Sequence, residues 1–289
     1  MSKPNKQHHE PLFHIAKRAA IPFWQSWIIR ILSILAALIV CAVVTVLLTG
    51  ENPFAIYATM FEGAFGTKRR IWALMQNLAM LLCVSLAVTP AFKMKFWNIG
   101  AEGQVLAGGL ATAACMIFLS DKLSPIVLMI VMVAVSIAAG AIWGLIPAFF
   151  KALWNTNETL FTLMMNYIAM CIVSYFSYEW SVPKGSGHIG VINDTTEAGW
   201  LPAIGGKAYL CNILIVVAIT VFMYIYLRYS KHGYEISVVG ESENTAKYIG
   251  INVKKVIIRT MILSGALCGI AGFLLVSGTD HTVNRDTAG

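Results

Sequence analysis

Long apolar blocks separated by short polar segments dominate this chain. Seven blocks reach the roughly 20 residues that a helix needs to cross the hydrocarbon core of a bilayer. They cover residues 28–49, 71–91, 101–119, 124–150, 158–178, 209–228 and 256–278. A shorter amphipathic stretch, Pro53–Phe65, is expected to lie at the membrane interface. The pattern predicts an all-α, polytopic transmembrane protein with about seven spans and one interfacial helix.

The first residues differ from the rest because they are polar and basic. No small-residue cleavage site follows the first apolar run, so residues 1–27 do not have the pattern of a cleavable signal. An interfacial helix around Pro11–Trp27 would carry Trp24 and Trp27 as anchors at the level of the lipid headgroups. We therefore divide the chain into an N-terminal arm, residues 1–27, and a transmembrane domain, residues 28–289.

Composition and charge support a membrane protein and give its orientation. Only 12% of the residues are charged and 58% are hydrophobic, whereas about a quarter of a soluble domain is charged. The net charge of +7 does not indicate nucleic-acid binding, because Lys and Arg form short clusters between the apolar blocks. With a cytoplasmic N-terminus, the inner segments hold about twice as many of them as the outer ones. This orientation, in the cell membrane, places residues 229–255 inside and 179–208 outside.

Several catalytic and cofactor motifs are absent from the sequence. It has no phosphate-binding GxxxxGK[ST] loop, so this chain is not expected to hydrolyse ATP in that way. It has no HExxH or GxSxG motif, and its six cysteines form no CxxC pair. We expect neither an enzyme nor a metal site, and no cofactor bound by this chain.

The segment FKMKFWNIGAEGQVLAGG, residues 92–109, lies between the second and third spans and combines glycines with Asn98, Glu102 and Gln104. Unwound backbone persists at membrane depth only where protein or water satisfies its polar groups. The segment is therefore either a broken helix lining a solute path or a cytoplasmic turn whose glycines serve packing. The residue types leave both interpretations open.

A second polar motif, NTNETLFTLMMNYIA, spans residues 155–169. Thr156 or Asn157 is expected to cap a helix, and Glu158 in its first turn complements the helix dipole. Asn166 lies about two turns further along the same face. Such a buried Asn usually forms a hydrogen bond between helices, and a solute contact is the alternative.

Two further segments suggest contacts with other elements. In residues 232–259 we predict a polar turn, a short helix Glu243–Tyr248 and a helix stop at Gly250. The segment is either a docking site for a cytoplasmic partner or an ordinary solvated loop. In residues 263–278, Gly265, Gly269 and Gly272 predict close packing against another helix.

Three of these motifs carry a family resemblance. NIGAEGQ at 98–104, NETLFTLMMNYIA at 157–169, and VVGESENTAKYIGINV at 238–253 with LSGALCGIAG at 263–272 resemble, in order and spacing, permease subunits of bacterial ABC importers. The group is that of the branched-chain amino acid and simple sugar permeases, especially its nucleoside-type members. The resemblance implies transport of a small polar solute, first of all a nucleoside, with a simple sugar as the alternative. Two alternatives come from other classes: an ion-coupled secondary transporter, and a membrane-bound assembly or scaffold protein if the chain is truncated.

The resemblance also implies partners and site residues. The partners are an ABC ATPase subunit that hydrolyses the ATP, a second permease subunit and an extracytoplasmic substrate-binding lipoprotein. The implied solute pathway contains Asn98, Glu102, Gln104 and Asn166, and the implied ATPase-coupling loop contains Gly240, Glu241, Asn244, Ala246 and Gly250. The chain departs from the family at Ser237, Val238 and Thr245, which leaves the individual docking contacts open. Family members usually continue with further spans, so the resemblance implies a permease truncated at its C-terminus.

Overall fold

The computed structural model describes residues 22–207 and 209–288, and most of these residues are helical. The α-helices are α1 Phe23–Thr49, α2 Pro53–Phe65, α3 Lys68–Lys93, α4 Ala101–Leu119, α5 Pro125–Trp154, α6 Glu158–Glu179, α7 Leu210–Tyr229, α8 Lys231–Glu241, α9 Glu243–Tyr248 and α10 Val253–Leu275. A π-helical turn, Val276–Asp280, follows α10. Seven helices in these ranges are long and apolar enough to span a membrane, namely α1, α3 to α7 and α10 with its π-helical extension. The predicted all-α polytopic fold is confirmed.

The N-terminal helices follow the predicted boundaries with one difference. α2 has the predicted bounds, and the side chain of Asn52 caps it by accepting the Phe54 N–H at 3.0 Å. α1 begins at Phe23 rather than at residue 28, so Trp24 and Trp27 belong to the first span. The rest of the predicted interfacial helix, residues 11–21, lies outside the described residues.

The chain divides between Thr67 and Lys68 into two compact units. In the first unit, the Tyr57 hydroxyl on α2 donates a hydrogen bond to the Leu38 carbonyl oxygen on α1 at 2.6 Å. The second unit contains α3 to α10 and all the residues predicted to have a functional role.

Glycines bring the central helices of the second unit into backbone contact. α10 packs against both α4 and α5. A Cβ atom on Gly140 of α5 would overlap the Gly265 carbonyl oxygen of α10, and one on Gly269 would overlap the Ser136 carbonyl oxygen. On α4, a Cβ atom on Gly108 would lie 2.6 Å from the Gly269 Cα. The close helix packing predicted from the glycines of residues 263–278 is confirmed.

Different elements lie at the two ends of α5 in this unit. The C-terminal end of α5 lies on the side of α8, α9 and the turn between α3 and α4. At its N-terminal end, the loop after α6 pairs with the chain's last segment: the Ile192 N–H donates to the His281 carbonyl oxygen at 2.8 Å, and the Leu201 N–H to the Ser277 carbonyl oxygen at 2.9 Å. The 30 residues of α5 separate these ends by about 45 Å at 1.5 Å per residue.

Candidate functional site

The turn between α3 and α4 is unwound, as the glycine-rich motif suggested. α3 ends at Lys93 and α4 begins at Ala101. Met94 and Phe96 are buried in a hydrophobic cluster that also contains Ile236 and Val239 of α8. One side of the turn therefore packs against α8 of the predicted coupling loop, whereas Lys95, Trp97 and Ile99 on the other side are exposed.

Asn98 anchors the end of this turn to two helices. Its Oδ1 accepts the Gly100 N–H at 3.1 Å and the Gln104 Nε2–H at 3.3 Å. Its Nδ2–H donates to the Ser264 hydroxyl of α10 at 3.2 Å. Because Asn98 and Gln104 are only 2% and 1% exposed, these bonds satisfy polar groups that would otherwise be buried without partners.

Asn166 of α6 approaches the same place from the other side. Its Oδ1 accepts the Gly103 N–H at 2.9 Å, and its Nδ2–H donates to the Ile99 carbonyl oxygen at 2.9 Å. Gly103 lies in the first turn of α4, where N–H groups have no partner within the helix. Asn166 therefore caps α4 from a neighbouring helix. Glu102 joins this contact through its Oε2, 3.5 Å from the Asn166 Nδ2.

The structure thus brings together all four residues predicted for the solute pathway. We call Asn98, Gln104, Asn166 and Ser264 the amide cluster; it joins the start of α4 to α6 and α10. Its side chains bond to one another and to backbone, so in this arrangement they face protein. Their role in a pathway stays a prediction. Sequence analysis missed Ser264, whose only signal was a small hydroxyl residue in an apolar span.

The start of α6 is fixed by a cap and an ion pair. Asn157 is the cap, with its Oδ1 accepting the Leu160 N–H at 3.1 Å, as predicted. Glu158 pairs with Lys151 of α5, with 2.9 Å between Oε2 and Nζ. The two side chains are 16% and 20% exposed, so this pair is less screened by solvent than an ordinary surface pair.

The predicted coupling loop contains more helix than expected. Residues 231–241 form α8 where we predicted a polar turn, with the Ser230 side chain accepting the Gly233 N–H at 2.9 Å. The turn prediction is wrong because α8 is held by packing: a Cβ atom on Gly240 would overlap the Lys93 carbonyl oxygen. α9 has the predicted bounds Glu243–Tyr248, and Gly250 follows it with φ of +82°.

The five residues predicted for ATPase coupling divide into two groups. Gly240 and Ala246 are buried and fasten the α8–α9 segment to the unit. Glu241, Asn244 and Gly250 are exposed on its outer side. Only the second group is accessible to a partner in this structure.

His232, at the start of α8, connects α8 to α7 and α10 by hydrogen bonds. Its Nδ1 lies 2.5 Å from the Tyr226 hydroxyl, and its Nε2 lies 3.4 Å from the Thr260 hydroxyl of α10. Burial lowers the pKa of His232, Arg259 lowers it further, and Glu235 opposes them. The imidazole is therefore neutral near pH 7, where it can hydrogen-bond to both hydroxyls.

Comparison with known proteins places this arrangement in a family. Over 233 residues the chain is 30% identical to the nucleoside ABC transporter permease protein NupB of Lactococcus lactis, covering 77% of this chain and 63% of that protein. It is 28% identical over 236 residues to the guanosine ABC transporter permease protein NupP of Bacillus subtilis, covering 81% and 67%. It is 27% identical over 273 residues to the glucose ABC transporter permease protein TsgB13 of Haloferax volcanii, covering 91% and 71%.

The chain therefore spans about two thirds of the length of these relatives, with coverages from 63% to 71%. No solved structure matches it significantly. The family described as branched-chain amino acid transport system, permease component, matches residues 70–287. That range contains the amide cluster and the α8–α9 segment, and the relatives are membrane permeases rather than enzymes. This chain belongs to that family of ABC transporter permeases.

Proposed function

We propose that this chain is the permease subunit through which an ABC importer carries a nucleoside across the cell membrane. Two relatives named for nucleoside and guanosine transport support this solute. In this proposal the N-terminus is cytoplasmic, and the chain works with an ABC ATPase, a second permease subunit and a substrate-binding lipoprotein. The ATPase hydrolyses the ATP, and this chain binds no cofactor.

In this proposal the α8–α9 segment couples the ATPase to the transmembrane helices. Its outer side presents Glu241 and Asn244, while Gly240 lies in backbone contact with Lys93 at the end of α3. Packed backbone is nearly incompressible, so a displacement of the segment would move α3 and the unwound turn as well. A loose surface loop would not transmit such a displacement.

A pocket of about 190 Å³ lies beside this segment. It is lined by five charged side chains, those of Lys95, Lys151, Glu158, Glu241 and Glu243. Small-molecule sites usually occupy about 300–1,000 Å³, so this pocket suits a protruding side chain of a partner protein better than the solute. The Lys151–Glu158 pair connects it to the start of α6, which carries Asn166.

These contacts suggest how the pathway residues would act. A rigid-body movement of α8 and α9 would reach the amide cluster through the unwound turn and through α6. Separation of α4 from α6 and α10 would then break the bond of Asn166 to the Gly103 N–H and the bond of Asn98 to the Ser264 hydroxyl. The amide groups of Asn98 and Asn166, together with Glu102, would become available to a polar solute.

Uptake of radiolabelled nucleosides tests this proposal in cells that express the chain with its partner subunits. We expect uptake that requires ATP and that falls at least about tenfold in Asn244→Arg, because a bulky cation on the docking surface weakens the ATPase contact. The matched control is Asp121→Arg, at an exposed position between α4 and α5; it should retain uptake. The amount of each variant in the membrane is measured in parallel.

Other outcomes would contradict the proposal. Uptake that survives ATP depletion but follows an ion gradient would indicate a secondary transporter. A simple sugar is the second candidate solute, because a glucose permease is also among the relatives. Suppression of nucleoside uptake by excess glucose, or uptake of labelled glucose alone, would favour that candidate.

A further inference from the structure

A cavity of about 990 Å³ lies at the end of the second unit opposite α8 and α9. The first turns of α5, around Pro125 and Met129, form one side of it. The loop of residues 196–203 and the π-helical turn after α10 form the others. Its volume is at the upper end of the range of ligand-binding cavities, so it has room for a small solute.

One wall of this cavity is aromatic. The rings of Trp200 and His281 stack with their centroids 3.7 Å apart and their planes 13° from parallel. The Trp200 indole N–H donates to the Ile192 carbonyl oxygen at 2.9 Å, which fixes the orientation of the ring. A rigid aromatic wall can hold a planar ring, because aromatic pairs gain energy beyond the area they bury.

Thr279, on the π-helical turn, gives the cavity a polar, hydrogen-bonding group. Its hydroxyl oxygen accepts the Gln76 Nε2–H of α3 at 2.7 Å and the Asn212 Nδ2–H of α7 at 3.4 Å. Thr279 lines the cavity, whereas Gln76 and Asn212 lie behind it and are each 1% exposed. Since the Thr279 oxygen already accepts two hydrogen bonds, its own O–H is left to donate.

Three polar atoms, on the two partners of Thr279 and on His281, have no hydrogen-bond partner in the described part of the chain, and of these three residues only His281 lines the cavity. They are Gln76 Oε1, Asn212 Oδ1 and His281 Nδ1, all buried. A buried polar atom without a hydrogen-bond partner destabilises the fold, so each such group calls for an explanation. The π-helical turn adds to this, because π-helical insertions are frequent at functional sites.

Two other cavities of the second unit suit a polar solute less well. A groove of about 500 Å³ between α4, α5 and α6 is lined by apolar side chains, among them Ile142 and Phe176. It offers hydroxyl groups almost no partners. The pocket beside α8 and α9 is about 190 Å³, well below the usual size of a ligand site.

We propose that the cavity lined by Trp200, His281 and Thr279 is the site where this permease receives its solute. The nucleobase lies against the aromatic wall, and a ribose hydroxyl bonds to Thr279. This inference rests on the proposed function, since it takes a nucleoside as the solute. The cavity lies at the end of the unit opposite the α8–α9 segment. An importer would receive its solute from that side.

Equilibrium binding of tritiated nucleosides to the permease–ATPase complex in nanodiscs tests this site. Thr279→Val keeps the shape of the side chain but removes the hydroxyl, so we expect about tenfold weaker binding. Thr279→Ser keeps the hydroxyl and should retain the affinity. The matched control is Thr220→Val on α7, whose hydroxyl bonds to the Val216 carbonyl oxygen and which lies outside the cavity; it should bind like the wild type.

A second variant keeps the test decisive if Thr279→Val fails to fold. Ala203 is exposed at the edge of the cavity, so Ala203→Trp should fill space without disturbing the core and should also weaken binding. Unchanged affinity in folded Thr279→Val and Ala203→Trp would overturn this site, while wild-type uptake would leave the proposed function standing. No nucleoside uptake or binding by the wild-type complex would overturn both.

Discussion

Replacement of Asn166 by Leu should destabilise the second unit by removing the cap that α6 provides for α4. The change leaves the Gly103 N–H and the Ile99 carbonyl oxygen without their 2.9 Å partners. Each unsatisfied buried group costs about 1–3 kcal/mol, whereas hydrogen bonds between membrane helices average about 0.6 kcal/mol. We therefore expect a loss of about 2–4 kcal/mol, which corresponds to a fall in apparent Tm of about 4–15 °C.

Thermal unfolding of the purified protein in detergent measures this effect. Met164→Leu is the matched control, because Met164 lies on the same helix but is 58% exposed. It should change the apparent Tm by no more than about 1–2 °C, since exposed substitutions are usually close to neutral. If Asn166→Leu is as stable as Met164→Leu, then the Asn166 hydrogen bonds do not hold α4 and α6 together, and our account of the amide cluster is wrong.

Two more predictions concern packing and pH. Gly140→Ala should lower the free energy of unfolding by about 1–3 kcal/mol, because the added Cβ would overlap the Gly265 carbonyl oxygen. The control Gly63→Ala meets no atom within 4 Å and should be neutral or slightly stabilising, so equal apparent Tm values for the two variants would contradict the close contact. The lowered pKa of His232 means that the folded state binds a proton less readily than the unfolded state, so this residue should reduce stability as the pH falls below 6.5. His232→Gln should make the fall in apparent Tm between about pH 8 and about pH 5.5 shallower, and an unchanged slope would contradict the neutral, hydrogen-bonded imidazole.

Several features could be read from the sequence because their causes are local. α4 has the predicted bounds, residues 101–119, since length and hydropathy alone decide whether a segment suits the bilayer. The Asn157 cap and the short helix Glu243–Tyr248 depend on side chains a few positions apart. The glycines of α10 predicted a close helix contact, although not which helix provides it.

Other features depend on residues far apart in the chain. α8 has a mixed sequence that does not suggest a helix by itself, and its contact with Lys93 became visible only in the structure. The amide cluster was predicted as separate motifs, but nothing in the sequence showed that Asn166 caps α4 or that Ser264 takes part. Polar residues in apolar spans, such as Gln76 and Asn212, were the one available signal for the cavity near Thr279.

The sequence by itself therefore determined that this is a polytopic helical membrane protein, where most of its helices lie and which family it resembles. These properties follow from the solvent preference of each segment and from motifs that are continuous in the chain. Only the tertiary structure decided which polar groups satisfy one another and which remain unpaired around a cavity. The physical reason is that a buried hydrogen bond depends on distance in space, and Gln76 and Thr279 meet at 2.7 Å although four helical spans separate them in the chain.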